Sequence, residues 1–208
     1  MNIIKKYTPQ KIIDISTRLF AEKGFAAVSV REISTDADSN VSAVSYYFGG
    51  KSGLYKAVLE EQFLPLIEAM VYIKENEQLL PEERLSFYAE NVSKIHSQRP
   101  YLSKFMISES LKPTPYGKEV IEKHLSQVYN FLAKSLRDGI QSGVFREDLD
   151  ITYTAVALAS ILNFYFVAKP LLQNVKILEN PQDEAYTQNA FRIYLQGIKI
   201  DKSMNEGM

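Results

Sequence analysis

Residues 41–51 read Val-Ser-Ala-Val-Ser-Tyr-Tyr-Phe-Gly-Gly-Lys. The small or hydroxylic side chains of Val41, Ser42, Ala43 and Ser45 suit a helix slim enough for the major groove of DNA, and the exposed ones can reach base edges or a thymine methyl. Val44 and Phe48 stand one helical turn apart and should point inward, which leaves Tyr46 and Tyr47 to lie against backbone or bases. Lys51 opens the next helix, where unpaired amides and the positive end of the helix dipole already favour a phosphate. Arg31, further upstream, can enter a groove or grip a phosphate.

Other chemistry is scarce. The chain has no cysteine, so disulfides, thiolate metal sites and a cysteine nucleophile are excluded by inventory. His96 and His124 are its two histidines, and neither has a histidine or carboxylate at metal-ligand spacing. Glu60-Glu61, Glu82-Glu83 and the Glu119/Glu122 pair fit solvated helix faces. Neither a glycine-rich phosphate loop nor a Gly-x-Ser-x-Gly turn is present. The expectation is a binding protein without catalytic residues, metal or cofactor. A helical module that binds small molecules or proteins but not DNA is the alternative, with a helical-bundle enzyme the least favoured.

Presenting these side chains takes short helices in a fixed order. Thr8 and Pro9 read as the N-cap and first position of a helix in which Ile12, Ile13, Ile15, Leu19 and Phe20 recur at helical spacing, and Gly24 stops it. Ser29-Val30-Arg31-Glu32 is a capping box opening a second helix, with Val30, Ile33 and Ala37 inward. The polar run Asp36-Ala37-Asp38-Ser39-Asn40 turns the chain into a third helix, about Val41 to Phe48, ended by Gly49-Gly50. A fourth starts near Lys51 and runs through Leu54, Val58, Leu59 and Phe63 toward Pro65. Prolines then mark off longer amphipathic helices, expected near 82–98, 101–110, 116–142, 151–169 and 183–199. Residues 201–208 read as a frayed tail.

Three short helices before a long one, with a tight polar turn between the second and third, form the layout of a helix-turn-helix unit. The strings Leu19-Phe20-Ala21-Glu22-Lys23-Gly24-Phe25, Ser29-Val30-Arg31-Glu32-Ile33 and Tyr46-Tyr47-Phe48-Gly49-Gly50-Lys51-Ser52-Gly53-Leu54 make the chain resemble the TetR family of bacterial transcriptional regulators. The resemblance covers about Ile12 to Val58. It implies DNA contacts at Arg31, Ser42, Ala43, Ser45, Tyr46, Tyr47 and Lys51, with Ser29 a further phosphate contact. Asp38-Ser39-Asn40 replaces the family's usual glycine-valine-serine, and the run from Asn40 looks like a subgroup with an asparagine opening the recognition helix. Gly50 stands where a capping serine is usual, a weaker cap by a few tenths of a kcal/mol.

The fold expected is all-α: an N-terminal three-helix helix-turn-helix unit at 1–50, followed by a larger helical ligand-binding and dimerisation unit at 51–208. Charge agrees with a sequence reader: residues 1–56 carry eight Lys/Arg against five Asp/Glu, a net of only +3, while the whole chain is −1. A binder indifferent to sequence would need a stronger basic field. The N-terminus lacks the apolar core of a signal peptide, so a cytoplasmic protein is expected. Residues 151–168 are uncharged and reach the lower limit of a membrane span, yet Thr152, Tyr153, Thr154, Ser160 and Asn163 favour a soluble helix buried in a core or between subunits.

The partners expected are an operator in double-stranded DNA, a second copy of the chain and a small-molecule effector, with no membrane. A homodimer interface is expected on the last two helices, through Ala155, Ala159 and Leu162 and through Phe191, Tyr194, Leu195 and Ile198. For the effector, Tyr88, Phe105, Met106, Tyr129 and Phe166 offer an apolar lining, with His96, Glu109, His124 and Asn163 as orienting polar groups. The helix from Lys51 to Phe63 is the expected lever between ligand and DNA.

Overall fold

Nine helices and no strand run through the described residues, 9–76 and 78–200, of the computed structural model. They are α1 (Pro9–Lys23), α2 (Val30–Asp36), α3 (Val41–Phe48), α4 (Lys51–Glu75), α5 (Pro81–Gln98), α6 (Leu102–Leu111), α7 (Pro115–Gln141), α8 (Ile151–Asn174) and α9 (Asp183–Ile198). Thr8 and the tail from 201, both assigned roles by the sequence, lie outside the described residues. Packing gathers the chain into two units, residues 1–64 with 99–124 and residues 65–98 with 125–208.

In the first unit, local signals set each short helix. The Ser29 hydroxyl accepts the Glu32 amide at 3.1 Å, and the Glu32 carboxylate takes the Ser29 amide and the Lys23 ammonium, the latter at 2.6 Å. The capping box is thus closed on both sides. Asp38 turns the chain with φ 51°, in the left-handed region that Asp and Asn enter more readily than other side chains, and it occupies the usual glycine position. Asn40 instead keeps extended backbone and caps α3, its Oδ1 accepting the Ser42 amide at 3.2 Å. At Gly53 the start of α4 passes so close to the end of α3 that a Cβ would sit 1.8 Å from the Phe48 carbonyl oxygen. The core beneath joins Ile12, Leu19 and Phe20 of α1, Ile33 of α2, Val44 of α3 and Leu54, Tyr55 and Val58 of α4.

Two prolines do not end their helices. The sequence stops the fourth helix near Pro65 and the eighth near 169, whereas α4 continues to Glu75 and α8 to Asn174. An internal proline removes one backbone N–H and crowds the preceding turn, costing about 3 kcal/mol. In α4, buried Leu59 and Phe63 before Pro65 and buried Ile73 after it offset that cost. In α8 the last turn closes beyond Pro170 through the Val175 amide on the Leu171 carbonyl at 3.1 Å.

The second unit packs α5, α8, α9 and the later part of α7 around one core. Leu85, Tyr88 and Val92 meet Leu132, Leu136, Leu158 and Phe145 there. Ala155, Leu162, Phe191, Tyr194 and Ile198, expected at an interface between copies, belong to this core and are buried within the chain itself. Ala159 and Leu195 are half-buried against it. The inward stripes of α8 and α9 are therefore intramolecular, because α5 and α7 supply the apolar surface they need. What α8 leaves in water is the opposite stripe: Tyr153, Val156, Ile161, Phe164 (66% exposed) and Leu171, joined on α9 by Ile193 (58% exposed). α8 is the one described helix long and apolar enough to cross a membrane, with a mean hydropathy of 1.7 in its most apolar window.

Candidate functional site

α3 shows one clean face. Val44 is fully buried and Phe48 half-buried, which turns Val41, Ser42, Ser45, Tyr46 and Tyr47 outward, with Ala43 half-buried between them. Ser42, Ser45 and Tyr46 follow i, i+3, i+4 spacing and so share a surface. Tyr46 is 83% exposed, and its ring meets that of Tyr47 edge-on with centroids 5.0 Å apart. No acidic residue lies on α3. A projecting helix with hydroxyls, a methyl, two phenols and no negative charge can donate to and accept from base edges and approach phosphates without repulsion.

The cations around it differ in how they are held. Arg31 of α2 is exposed, as is Ser29 at the start of that helix. Lys51 is half-buried: its Nζ stands 4.4 Å from the centre of the Phe25 ring and donates to the Ala26 carbonyl at 3.4 Å. Burial pushes the Lys51 ammonium below its ordinary pKa. Arg18 pairs with Asp36 at 3.1 Å and thereby ties α1 to the end of α2. The outward face of α3 is thus mounted on a braced three-helix frame.

This geometry has known relatives. The family model described as "Bacterial regulatory proteins, tetR family" matches residues 12–58, and the one described as "Tetracyclin repressor-like, C-terminal domain" matches 81–190. The chain belongs to the TetR family of bacterial transcriptional regulators. It is 27% identical over 199 residues to the "Probable HTH-type transcriptional regulator YttP" of Bacillus subtilis, covering 95% of this chain and 93% of that one. It is 24% identical over 160 residues to the HTH-type transcriptional repressor NicS of Pseudomonas putida, covering 76% and 75%. Among solved structures, the fatty acid degradation regulator FadR from Bacillus halodurans superposes with a TM-score of 0.72 at 19% identity, covering 92% of this chain and all of that one. Regulators of this family bind operators and ligands and form homodimers.

The residues expected to hold a ligand in this TetR-family regulator fall in both units. In the first, Glu109 is buried and fully engaged: Tyr55 donates to its Oε1 at 2.6 Å and the Thr114 amide to its Oε2 at 2.7 Å. Burial, then the bond to Glu109, pushes the Tyr55 phenol far above its ordinary pKa. His124 is buried against Phe63, with its Nε2 2.7 Å from Glu60. Burial opposes ionisation of Glu60, yet Lys123 and His124 outweigh it and hold that carboxyl below its ordinary range. Phe105 is core and Met106 half-buried.

In the second unit four of the expected residues meet. His96 stacks on Phe166 with centroids 4.0 Å apart, its Nε2 is 3.1 Å from Asn163 Oδ1, and Asn163 Nδ2 donates to the Tyr88 hydroxyl at 3.1 Å. Tyr129 stands apart, half in water with its hydroxyl 3.1 Å from Thr152. None of the nine lines the unit's large cavity; His96, Asn163 and Tyr88 bond to one another, and Glu109 and His124 to Tyr55, Thr114 and Glu60. That cavity, about 660 Å³, is walled by Ile67, Met70, Val71 and Ile73 of α4, Arg84 of α5 and Gln127, Asn130, Phe131, Lys134 and Asp138 of α7. Its volume is within the range of small-molecule sites, about 300–1,000 Å³. Asp138 accepts from Arg84 and from Lys134, each at 2.7 Å. The sequence conceals this cavity: four of its walls follow Pro65, where the sequence predicts a helix end, and Arg84 and Asp138 lie too far apart in the chain for any local spacing to pair them.

Proposed function

We propose that this regulator is a cytoplasmic repressor that binds a palindromic operator as a homodimer and leaves it when a small hydrophobic effector enters the second unit. The acid-free outward face of α3 carries the reading: Ser42, Ser45 and Tyr46 address base edges, with Val41 and Ala43 beside them as methyl contacts. Arg31, Ser29, Tyr47 and Lys51 hold phosphates and fix the register. The labour divides near residue 50, with DNA reading before it and effector binding and dimerisation after it. NicS, a relative of similar extent, is a repressor, which supports the sign of regulation.

The dimer forms through the outward stripes of α8 and α9, with Phe164 and Ile193 at the centre and Ala159 and Leu195 at the margin. A two-fold axis through such a surface gives two reading heads and hence a pseudo-palindromic site. The effector occupies the cavity beside α4, whose five apolar side chains supply most of its lining surface. FadR, of the same fold, is a fatty acid degradation regulator, which supports an apolar ligand. Fluorescence anisotropy of the full chain on a labelled duplex from its own upstream region tests the proposal. Tight binding that vanishes on a scrambled duplex of equal length is expected; equal affinity for both would remove the sequence-reading role.

A further inference from the structure

The cavity of the second unit is not uniformly apolar. Ile67, Met70, Val71 and Phe131 give it apolar surface, and Arg84, Lys134 and Asp138 meet in one charged cluster that makes its polar side. Two cations share one carboxylate there, so the polar side carries a net charge of +1. The Arg84 side chain is only 15% exposed and uses two of its five N–H donors among the described residues, one on Asp138 and one on the Leu79 carbonyl at 3.2 Å. A guanidinium so far out of water is costly unless paired, and its planar fork matches a carboxylate better than any neutral group. Lys134, which projects into water beyond it, supplies a second, more mobile cation to the same spot.

From this arrangement we infer that the effector is an amphipathic monoanion, an alkyl or aryl carboxylate whose head takes the place of Asp138 on Arg84 and Lys134 while its apolar body lies along Ile67, Met70, Val71 and Phe131. The inference rests on this cavity being the effector site, and it adds the chemical class. A monoanion brings the excess charge of the polar side to zero. A neutral alcohol cannot replace Asp138 on Arg84, and a cation meets like charge. The unbranched Met70 side chain adapts to a chain-like ligand at little cost. Asp138 is the built-in competitor: it fills the anion position when the cavity is empty, and α5 and α7 are tied through it to Arg84. Ligand entry exchanges that direct tie for one that runs through the ligand's head, from Arg84 on α5 to Lys134 on α7, a change of partner inside the unit that an uncharged ligand would not make.

Calorimetric titration of the full chain with dodecanoate, dodecan-1-ol and dodecyltrimethylammonium tests the class directly, with thermal melts confirming that each variant is folded. Dodecanoate should bind at least tenfold tighter than the alcohol, and the ammonium compound should not bind. Arg84→Gln should bring the acid down to the level of the alcohol. Asp138→Asn, which removes the competitor, should tighten dodecanoate several-fold and leave dodecan-1-ol unchanged; this second variant decides the matter if Arg84→Gln fails to fold. Met70→Trp, which puts a bulky ring into the apolar part of the cavity, should weaken binding of both at least tenfold. Equal binding of acid and alcohol, both weakened in Met70→Trp, would overturn the anion assignment and leave the cavity as the effector site. Dodecanoate binding unchanged in Met70→Trp would overturn both. Failure of dodecanoate to bind, or unchanged affinity in Asp138→Asn, would also overturn the anion assignment.

Discussion

The Lys51 ammonium stands 4.4 Å from the centre of the Phe25 ring, so the cation expected to grip DNA also braces the turn after α1. Both roles should appear on removal. Lys51→Ala should weaken binding to every duplex and lower the salt slope of affinity by about 1, as the loss of one phosphate contact requires. It should also cost up to about 1 kcal/mol of stability through the lost cation–π contact. Anisotropy at several salt concentrations, paired with denaturant melts, separates the two. An unchanged salt slope would leave Lys51 as a brace only.

The buried Tyr55–Glu109 bond holds α4 to α6 within the first unit. A carboxylate that loses a donor in such a site is left partly unsatisfied, so Tyr55→Phe should destabilise by about 1.5–3 kcal/mol. Gly117→Ala should destabilise by about 1–3 kcal/mol through overpacking, because its Cβ would fall 2.3 Å from that same carboxylate. Urea melts of the two variants check this. Wild-type stability in Gly117→Ala would mean that Glu109 has room to move.

Phe164 and Phe191 separate outward from inward on the last two helices. Phe164→Glu should yield a folded monomer by sedimentation with helical content retained. Phe191→Ala should instead cost about 3–5 kcal/mol, the usual range for emptying a core aromatic site. A dimeric Phe164→Glu would move the interface elsewhere.

Burial lowers the pKa of His96, against the opposing effects of Asn163 and Asp183. The folded state therefore holds a neutral imidazole where the unfolded chain takes up a proton near its ordinary value, about 6.5. Stability contributed by neutral His96 is fully present above that value and falls as pH drops from there toward the depressed folded value. His96→Gln should flatten this acid-side slope in melts between pH 7 and 5. A slope identical to wild type would show that other groups set it.

Much of the reading head was legible because its signals are local. Ser29, Asn40, Gly24 and the pair Gly49-Gly50 act within a few residues of their own positions, and each caps or stops a helix where the sequence put it. Even so, the left-handed residue of the turn is Asp38, while Asn40 caps. Longer-range features were hidden. Pro65 reads as a helix end because the burial that tolerates it, at Leu59, Phe63 and Ile73, comes from partners distant in sequence, and Pro170 because the bonds that close the last turn form only beyond it. Phe191, Tyr194 and Ile198 read as an interface because a stripe at helical spacing does not say whether its own chain or a second copy covers it. His96, Glu109, His124 and Asn163 have the chemistry of ligand groups, but each finds its partner inside the fold.

The outward face of α3 is proposed to read an operator. Anisotropy of the wild-type chain and of Ser42→Ala, Ser45→Ala and a Tyr47→Ala/Lys51→Ala double variant, on the upstream duplex and on versions with single base changes, tests it most directly. Each serine variant should lose about 1–3 kcal/mol on the native site and discriminate less at one base position in each half-site, as a lost base contact requires. The double variant should weaken binding to all duplexes alike. Unchanged affinity and unchanged base preference across all three variants would contradict the assignment of α3 as the recognition helix.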